Sequence, residues 1–179
     1  MKSGKDAGGY SLYELVMTLG LVAVLLGVGV PSLGALAADK RLRVEVNALF
    51  HAIYLARTES IARRRVVTVC PSIDGRYCNP GYDWSGGWIV FVNKGLRNSL
   101  QRADDEVLLR HHQVSETSRI MSNRQGFSLR STELRATNGT VIFCDRASRT
   151  ESRALVISYT GRPRVTRKDR RGKPYDCAG

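Results

Sequence analysis

The chain has 179 residues, enough for one anchored domain or for a helix joined to one compact globule. Its hydrophobic fraction of 42% and charged fraction of 25% are those of a folded protein, not of a disordered one. Lys and Arg number 28 against 16 for Asp and Glu, so the formal net charge is +12 and the isoelectric point is about 10.1. This excess favours a polyanionic partner such as nucleic acid, anionic lipid or acidic glycan, and a merely basic, soluble surface is the alternative.

A pair of small residues, Gly8-Gly9, precedes a long apolar run near the N-terminus. A secretory signal peptide has its small residues after the apolar core, so cleavage after Gly9 would leave the apolar run on the mature chain. The run from Leu15 to Ala38 is about 24 residues and roughly 36 Å of helix, which is enough to cross a bilayer. Lys2 and Lys5 favour a cytoplasmic N-terminus, and a simple single-span anchor is the plainest interpretation.

Glu14 lies at the start of this run, where a simple anchor would not need it. A carboxylate drawn into the hydrocarbon costs about 2.5 kcal/mol or more. It is tolerated beside the positive N-terminus of a helix, and an α-amino group freed by cleavage after Gly9 would be a partner for it on a neighbouring copy. The run is also interrupted, which predicts a kinked or locally loosened helix, at Gly20, Gly27, Gly29 and Pro31.

The stretch Gly9-Tyr10-Ser11-Leu12-Tyr13-Glu14 resembles the class III leader and processing site of type IV pilins and pseudopilins. The resemblance implies that a prepilin peptidase cuts after Gly9 and that the new N-terminal residue, Tyr10, is methylated, with tyrosine where the family usually has phenylalanine. It also implies an assembly role for Glu14 and a helix kink at Pro31. The implied location is the inner membrane, single-pass with a periplasmic globular domain, and then a pilus, at or near its tip, among other pilins and minor pilins.

Beyond Ala38, apolar residues continue at helical spacing along one face of the same helix. They are Leu42, Val46, Leu49, Ile53, Ala56 and either Ser60 or Ile61. We expect Arg41, Glu45 and Arg57 mostly on other faces, so this half of the helix lays one face on a globular domain. The helix is predicted to close at Arg63-Arg64-Arg65, where cations suit the negative end of the helix dipole, and a nucleic-acid contact is the alternative for this triplet.

The remaining sequence is rich in short, β-branched segments bounded by turn residues. The predicted strands are Val66–Cys70, Trp88–Val92, Val107–Arg110, Thr140–Cys144 and Ala154–Tyr159, with Gly126–Leu129 as a weaker candidate. No helical pattern of useful length separates them, which favours antiparallel sheets. The predicted fold class is therefore α+β, with a long N-terminal helix, membrane-spanning in its first half, packed on a C-terminal antiparallel two-sheet β domain.

This organisation divides the chain into four parts. Residues 1–9 form a leader peptide, residues 10–38 the transmembrane and filament-assembly half of the helix, and residues 39–65 its amphipathic half. Residues 66–179 form the β-rich globular domain, which contains a polar, exposed connector at Asn98–Asp105 and ends in a basic tail at 161–177.

The four cysteines, Cys70, Cys78, Cys144 and Cys177, lie outside the apolar run of a chain with an export-like start, which indicates two disulfides. Three pairings are possible. The short spacing and the turn residues nearby favour Cys70–Cys78, which leaves Cys144–Cys177. A zinc site is the alternative, and the lack of a CxxC pair or of a flanking histidine argues against it.

Two segments of the globular half, Val67–Ser72 and Asp83–Phe91, resemble the FimT/GspH branch of the type IV pilin-like proteins. Together with the N-terminus, the likeness covers nearly the whole chain. It implies a long helix that bears a two-sheet β domain outside the inner membrane. Trp84 and Trp88 could be proposed as base-stacking platforms, but their strand and turn context favours packing in the core.

After the last predicted strand the chain becomes strongly basic. Gly161 permits a tight turn, Pro163 stiffens the backbone, and in an extended chain Arg162 and Arg164 project from the same side. Guanidinium groups suit phosphate because their planar fork donates two hydrogen bonds at once. The positive field is extended by Arg167, Lys168, Arg170, Arg171 and Lys173. A disordered, solvated terminus is the alternative, and a Cys144–Cys177 bond would argue against it by fixing both ends of the stretch.

The sequence Gly161-Arg162-Pro163-Arg164 also resembles the GRxR motif of DNA-binding FimT proteins, which take up DNA in natural transformation. The resemblance implies that Arg162 and Arg164 contact the phosphate backbone of DNA. Weaker candidates for the same contact are Arg167, Lys168, Arg170 and Arg171. Binding of this kind is electrostatic and independent of sequence.

The sequence has no HExxH, P-loop or GxSxG motif and no paired carboxylates in an active-site pattern. His51 lies on the helix and His111-His112 follow a predicted strand without a nucleophile, so we expect structural roles for all three. No enzyme activity, catalytic residue, metal site or cofactor is predicted.

The leading hypothesis is a minor type IV pilin that binds DNA non-sequence-specifically through its basic tail, for DNA uptake in natural transformation. The alternative is a structural minor pilin, or a GspH-like pseudopilin of type II secretion, that primes filament assembly without DNA binding. A third, weaker hypothesis is adhesion to anionic lipid or polysaccharide. The predicted partners are therefore DNA, other pilins, the prepilin peptidase and the inner membrane.

Overall fold

The computed structural model describes the backbone of Gly9 and of residues 11–94, 100–130 and 136–177, and the side chains of the same residues except 28–31. These residues form one helix and eight strands. The chain divides into two compact units between Ala37 and Ala38, close to the end of the apolar run.

The helix, α1, runs from Leu12 to Arg63 and is 52 residues long. An 18-residue window within it has a mean hydropathy of 2.2, so by length and composition α1 can cross a membrane. The backbone of α1 is helical through Gly29 and Pro31. The kink expected there stays a prediction. Tyr10, the expected methylation site, and most of the expected leader also lie outside the described residues.

In the second unit, α1 buries the apolar face that the sequence predicts. Its buried side chains there include those of Leu42, Val46, Leu49, Ile53, Ala56 and Ser60. Ile61, the other candidate for the last position, is exposed. The expectation that Glu45 lies on another face is wrong, because its carboxylate is buried and accepts hydrogen bonds from His112 Nε2 (2.8 Å) and from the backbone N–H of Ser115 (3.1 Å).

The C-terminal end of α1 is a Schellman motif, and the helix therefore ends at Arg63 instead of Arg65. The N–H of Arg65 bonds to the carbonyl of Ser60 and the N–H of Arg64 bonds to the carbonyl of Ile61. Arg64 takes the left-handed position of the motif, with φ of +50°, which glycine usually occupies.

Two antiparallel four-stranded sheets follow, which confirms the α+β, two-sheet prediction. The strands of the first sheet, in spatial order, are β3 (Leu108–His112), β2 (Trp88–Asn93), β1 (Val66–Pro71) and β5 (Phe127–Leu129). Those of the second sheet are β4 (Ser118–Ser122), β6 (Gly139–Asp145), β7 (Arg153–Ile157) and β8 (Pro163–Thr166).

Several strands depart from the sequence prediction. β4 and β8 were not predicted, because Ser118-Arg119-Ile120-Met121-Ser122 is too polar to read as a buried strand and β8 combines a proline with an arginine. β7 ends at Ile157, so Tyr159 belongs to the turn that follows. His111 and His112 lie within β3 and do not follow it.

One apolar core joins α1 to both sheets. Trp84 and Trp88 are completely buried in it, which confirms core packing over a base-stacking role. The indole N–H of Trp84 donates to the carbonyl of Arg124 at 3.2 Å, and the Trp88 ring stacks on His112 with centroids 4.3 Å apart. These partners satisfy the polar edge of Trp84 and hold the His112 ring against Glu45.

A second polar contact holds α1 to the other sheet. Asp39 on α1 accepts a hydrogen bond from the guanidinium of Arg153, the first residue of β7, and lies 3.4 Å from the hydroxyl of Thr150. The hydrogen bond from Arg153 lowers the pKa of the Asp39 carboxyl, and a further bond from Arg43 adds to this. α1 is therefore joined to β7 through Asp39 and to the β3 side through Glu45.

The left-handed Arg64 gives a stability prediction. A left-handed residue with a Cβ costs roughly 1–2 kcal/mol, and glycine removes that cost while losing more entropy on folding. We expect Arg64→Gly to raise the free energy of unfolding by roughly 0.5–1 kcal/mol, measured by urea unfolding of the full chain in nonionic detergent. Ala62→Gly, two residues earlier within the helix, is the control and should lower it by about 1 kcal/mol. Equal signs for the two variants would contradict the assigned helix end.

Candidate functional site

The basic tail begins with a tight hairpin turn between β7 and β8. The N–H of Gly161 bonds to the carbonyl of Ser158 at 2.9 Å, and the N–H of Ser158 bonds to the carbonyl of Arg162 at 3.1 Å. Gly161 has φ of +72°, as a three-residue hairpin loop requires at its last position. A Cβ there would also lie 2.8 Å from Leu129 Cδ1, so both conformation and space call for glycine at this position.

The register of β8 on β7 sets which face of the sheet Arg164 occupies. Arg164 pairs with Val156, and Val156 pairs with Thr140 on β6. Leu155 and Ile157, on either side of Val156, are buried in the core. Because side chains alternate along a strand, Thr140, Val156 and Arg164 form a row on the outer face of the second sheet. Pro163 is tolerated because it begins an edge strand.

A second turn of the same construction follows β8. The N–H of Gly172 bonds to the carbonyl of Asp169 (3.1 Å), the N–H of Asp169 bonds to the carbonyl of Lys173 (2.8 Å), and Gly172 has φ of +77°. The Asp169 carboxylate also accepts the N–H groups of Arg171 (2.8 Å) and Lys173 (2.9 Å). Asp169 therefore shapes the turn that carries the cations, a role that sequence reasoning missed.

Three contacts hold the end of the tail to the sheet. Cys177 forms a disulfide with Cys144 near the end of β6, and the carbonyl of Cys177 accepts a hydrogen bond from Arg119 at 3.3 Å. The carbonyl of Tyr175 accepts a hydrogen bond from the hydroxyl of Ser152 at 2.6 Å. Within the tail itself, an isolated antiparallel bridge joins Lys168 to Pro174. The tail is thus an ordered part of the fold from Gly161 to Cys177.

The other disulfide, Cys70–Cys78, lies at the end of β1 on the first sheet. Both bonds join the pairs that the sequence favours, and no cysteine is free. Within the described ranges, no cluster of three or more histidine, cysteine or acidic residues could hold a metal ion.

Next to Cys144, a salt bridge reinforces the end of β6. The Asp145 carboxylate accepts two hydrogen bonds from the guanidinium of Arg149, both at 3.1 Å, and one from its backbone N–H at 3.0 Å. The side-chain bonds from Arg149 lower the pKa of the Asp145 carboxyl, and in return that carboxylate raises the pKa of Arg149. The turn that follows β6 is therefore held by these hydrogen bonds, next to the cysteine to which the tail is attached.

The tail and the outer face of the sheet enclose a groove of about 710 Å³. We call it the tail groove. Its lining residues are Thr140, Val156, Arg164, Thr166, Lys168, Asp169, Arg170, Arg171 and Tyr175. Four of the six predicted DNA-contacting residues are therefore brought together here, and Asp169 is the one acid among the lining residues.

The other two predicted contacts lie elsewhere. Arg162 lines a separate hollow of about 510 Å³ with Pro163 and four residues of α1, which include Arg57. Arg167 is exposed and lines neither cavity. The two arginines of the motif thus border different cavities, so the turn at Gly161 spreads positive charge over two surfaces of the tail.

Sequence reasoning missed Tyr175, Val156 and Thr140, which lie in the tail groove between the cations. For Thr140 and Val156 the signal was the alternation along predicted strands, which places them away from the core. For Tyr175 the signal was an aromatic residue between Pro174 and a bonded cysteine. At the other end of the chain, Gly9 and Glu14 are exposed, and Glu14 lies in the first turn of α1.

The family model described as Type II transport protein GspH matches residues 45–161, which is more than half of the chain. The match covers α1 from Glu45 to its end and most of the two-sheet domain, and it ends at Gly161, before the cations of the tail. No curated protein sequence matches the chain.

Two solved structures are similar to this chain. The type IV minor pilin FimU of Pseudomonas aeruginosa (strain PAO1) is 19% identical, with 72% of this chain and 90% of that chain covered and a TM-score of 0.52. The minor pseudopilin EpsH of the Type 2 Secretion System of Vibrio cholerae is 12% identical, with 70% and 96% covered and a TM-score of 0.48. At 19% identity, FimU indicates a shared fold and nothing finer.

The two turn glycines give a matched prediction. Gly161→Ala meets both a left-handed conformation and the close Leu129 side chain, whereas Gly172→Ala meets only the first, because nothing lies within 4 Å of its added Cβ. We expect Gly161→Ala to lower the free energy of unfolding by about 2–3 kcal/mol and Gly172→Ala by about 1 kcal/mol or less. Urea unfolding of the full-length variants in detergent measures both. A larger loss for Gly172→Ala would contradict the close packing assigned to the first turn.

Proposed function

Because the chain belongs to the GspH family of type II transport proteins, we propose that it is a minor type IV pilin that binds DNA through its ordered basic tail and serves DNA uptake in natural transformation. The family role is that of a minor pilin or pseudopilin, which is structural and not enzymatic. It implies interaction with other pilins and an inner-membrane anchor, the apolar part of α1, that carries the globular domain. DNA binding is the added proposal.

The N-terminal segment supports an assembly role. Cleavage by a prepilin peptidase after Gly9 and methylation of Tyr10 would leave Glu14 in the first turn of the mature helix. There its carboxylate is stabilised by the positive helix end, and it can pair with the freed amino group of a neighbouring subunit inside the membrane. The processed chain would then pass from the inner membrane into a pilus, at or near the tip.

The observation that carries DNA binding is the ordered cluster of cations around the tail groove. Arg164 on β8 and Arg170 and Arg171 on the second turn are exposed, and Lys168 lies between them. Their backbone is held by a strand, by two hydrogen-bonded turns and by the Cys144–Cys177 bond. Since the side chains are presented from a fixed backbone, less conformational entropy is lost when they bind phosphate.

Binding of this kind has a measurable salt dependence. If about four to six phosphates of duplex DNA are contacted, the logarithm of the association constant falls with the logarithm of salt concentration at a slope of roughly −4 to −5. We expect Arg162→Ala with Arg164→Ala to weaken binding about tenfold or more and to make the slope shallower by about 2. Fluorescence-anisotropy titration of the full chain in nonionic detergent measures both quantities.

The control for this titration is Arg64→Gln with Arg65→Gln. It removes the same charge from the exposed end of α1, which is the alternative basic contact. This variant should keep the affinity within about twofold and keep the slope. Unchanged DNA binding by the Arg162→Ala/Arg164→Ala variant would overturn the role of the tail, and a loss confined to the control would assign binding to the helix end.

The disulfide at the end of the tail supplies a further prediction. Cys144→Ser with Cys177→Ser frees the C-terminal anchor of the cations, so binding must then order a flexible segment. We expect the affinity for duplex DNA to fall about fivefold or more, since ordering one long side chain alone costs roughly 0.5–1.5 kcal/mol. Cys70→Ser with Cys78→Ser, on the first sheet, is the matched control. Circular dichroism shows whether each variant keeps its fold, and equal losses in two folded variants would contradict the anchoring role.

The second candidate function is a structural subunit that primes filament assembly without DNA. It is favoured by the family match, which ends before the tail cations and does not depend on them. Transformation and pilus-surface assays on the Arg162→Ala/Arg164→Ala variant separate the two. Lost DNA uptake with intact filaments supports DNA binding, and lost filaments support the structural role alone.

A further inference from the structure

The tail groove differs from a purely cationic surface in the residues between its cations. Thr140, Val156 and Arg164 form one cross-strand row, which is roughly 10 Å long at the usual strand spacing. The row therefore places an isopropyl group and a threonine next to a guanidinium, and Tyr175 adds an aromatic ring to the same groove. Phosphate binding alone would use neither the isopropyl group nor the aromatic ring.

Tyr175 is held more firmly than its place near the C-terminus suggests. Its own carbonyl is bonded to Ser152, the residue before it bridges to Lys168, and the residue two positions later is Cys177 in its disulfide with Cys144. The residue is half-buried. An aromatic side chain presented from a fixed backbone can stack on a partner with little loss of conformational entropy.

The groove volume of about 710 Å³ lies in the range of sites that enclose a small-molecule-sized group, about 300–1,000 Å³. A base in a duplex has both faces covered by its neighbours, so it cannot offer a face to the ring. A base in a single strand can turn out and stack on an aromatic side chain while its phosphates stay on the cations.

We infer that the tail groove takes an unpaired nucleotide of single-stranded DNA, with its base stacked on Tyr175 and its phosphates on Arg164, Lys168 and the Arg170-Arg171 turn. This inference rests on the proposed function, because it names the form of DNA that the tail groove recognises. Stacking adds a contact with the face of the base, which binding through phosphates alone lacks. Because every base has such a face, this contact does not depend on the DNA sequence.

The test compares two strands of equal charge. The probes are a thymidine 12-mer and a base-free strand of the same length and phosphate number, titrated into the full chain in nonionic detergent at fixed salt. The variants are Tyr175→Leu, which removes the ring, and Tyr175→Phe, which keeps it. Tyr82→Leu is the matched control, because Tyr82 is exposed and its carbonyl is bonded to Ser122 of β4, at the other edge of the sheet from β8.

We expect the unmodified chain to bind the thymidine strand at least about fivefold more tightly than the base-free strand, the effect of one base–aromatic stack. Tyr175→Leu should abolish this preference, so that the two strands bind with equal affinity. Tyr175→Phe and Tyr82→Leu should keep the preference. Rescue by phenylalanine separates stacking from any role of the tyrosine hydroxyl.

Two results would overturn the inference. One is equal affinity of the unmodified chain for the two strands, and the other is a preference that survives in Tyr175→Leu. Either leaves electrostatic binding through the tail intact, provided that both strands bind and release with salt. The absence of binding to any strand or duplex would instead remove the proposed function together with this inference.

Discussion

The burial of one face of α1 against both sheets is the interaction on which the rest of the globular structure depends. Leu49 and Ile53 are completely buried there, in a core to which both sheets contribute. Two partly buried polar pairs, the Asp39–Arg153 salt bridge and the Glu45–His112 hydrogen bond, fix the helix to either side. Because a carboxylate left alone in such a place would be costly, these pairs allow few alternative positions of the helix on the sheets.

The same core determines where the basic tail lies. β7 is held by Leu155 and Ile157 on the core side and pairs with β6 along one edge, which leaves its other edge for β8. β8 pairs with that edge and closes it, and its proline and exposed arginine keep it from pairing with a further strand. The covalent bond of Cys177 to Cys144 then returns the chain to β6. The cations are therefore presented by the sheet and are not carried on a loose terminus.

Gathering like charges around one groove has an electrostatic cost that bears on function. Arg164, Lys168, Arg170 and Arg171 repel one another, and Asp169 offsets only part of that repulsion while it shapes the turn. A polyanion relieves this repulsion when it binds. The binding free energy of phosphate is therefore more favourable in the tail groove than on an evenly charged surface.

The sequence by itself determined the apolar anchor, the buried stripe of α1, the strands with strong alternation and the basic composition of residues 161–177, because each of these is a local pattern. Only the tertiary structure decided the places of Glu45, Tyr175 and Asp169. Glu45 is buried because His112 and Ser115, far away in sequence, meet its carboxylate. Tyr175 lines one groove with Val156 and Thr140 because strand register and a disulfide bring distant segments together. Contacts between residues distant in sequence follow from the register of the strands and from the disulfide that closes the tail. No local sequence pattern encodes either of them.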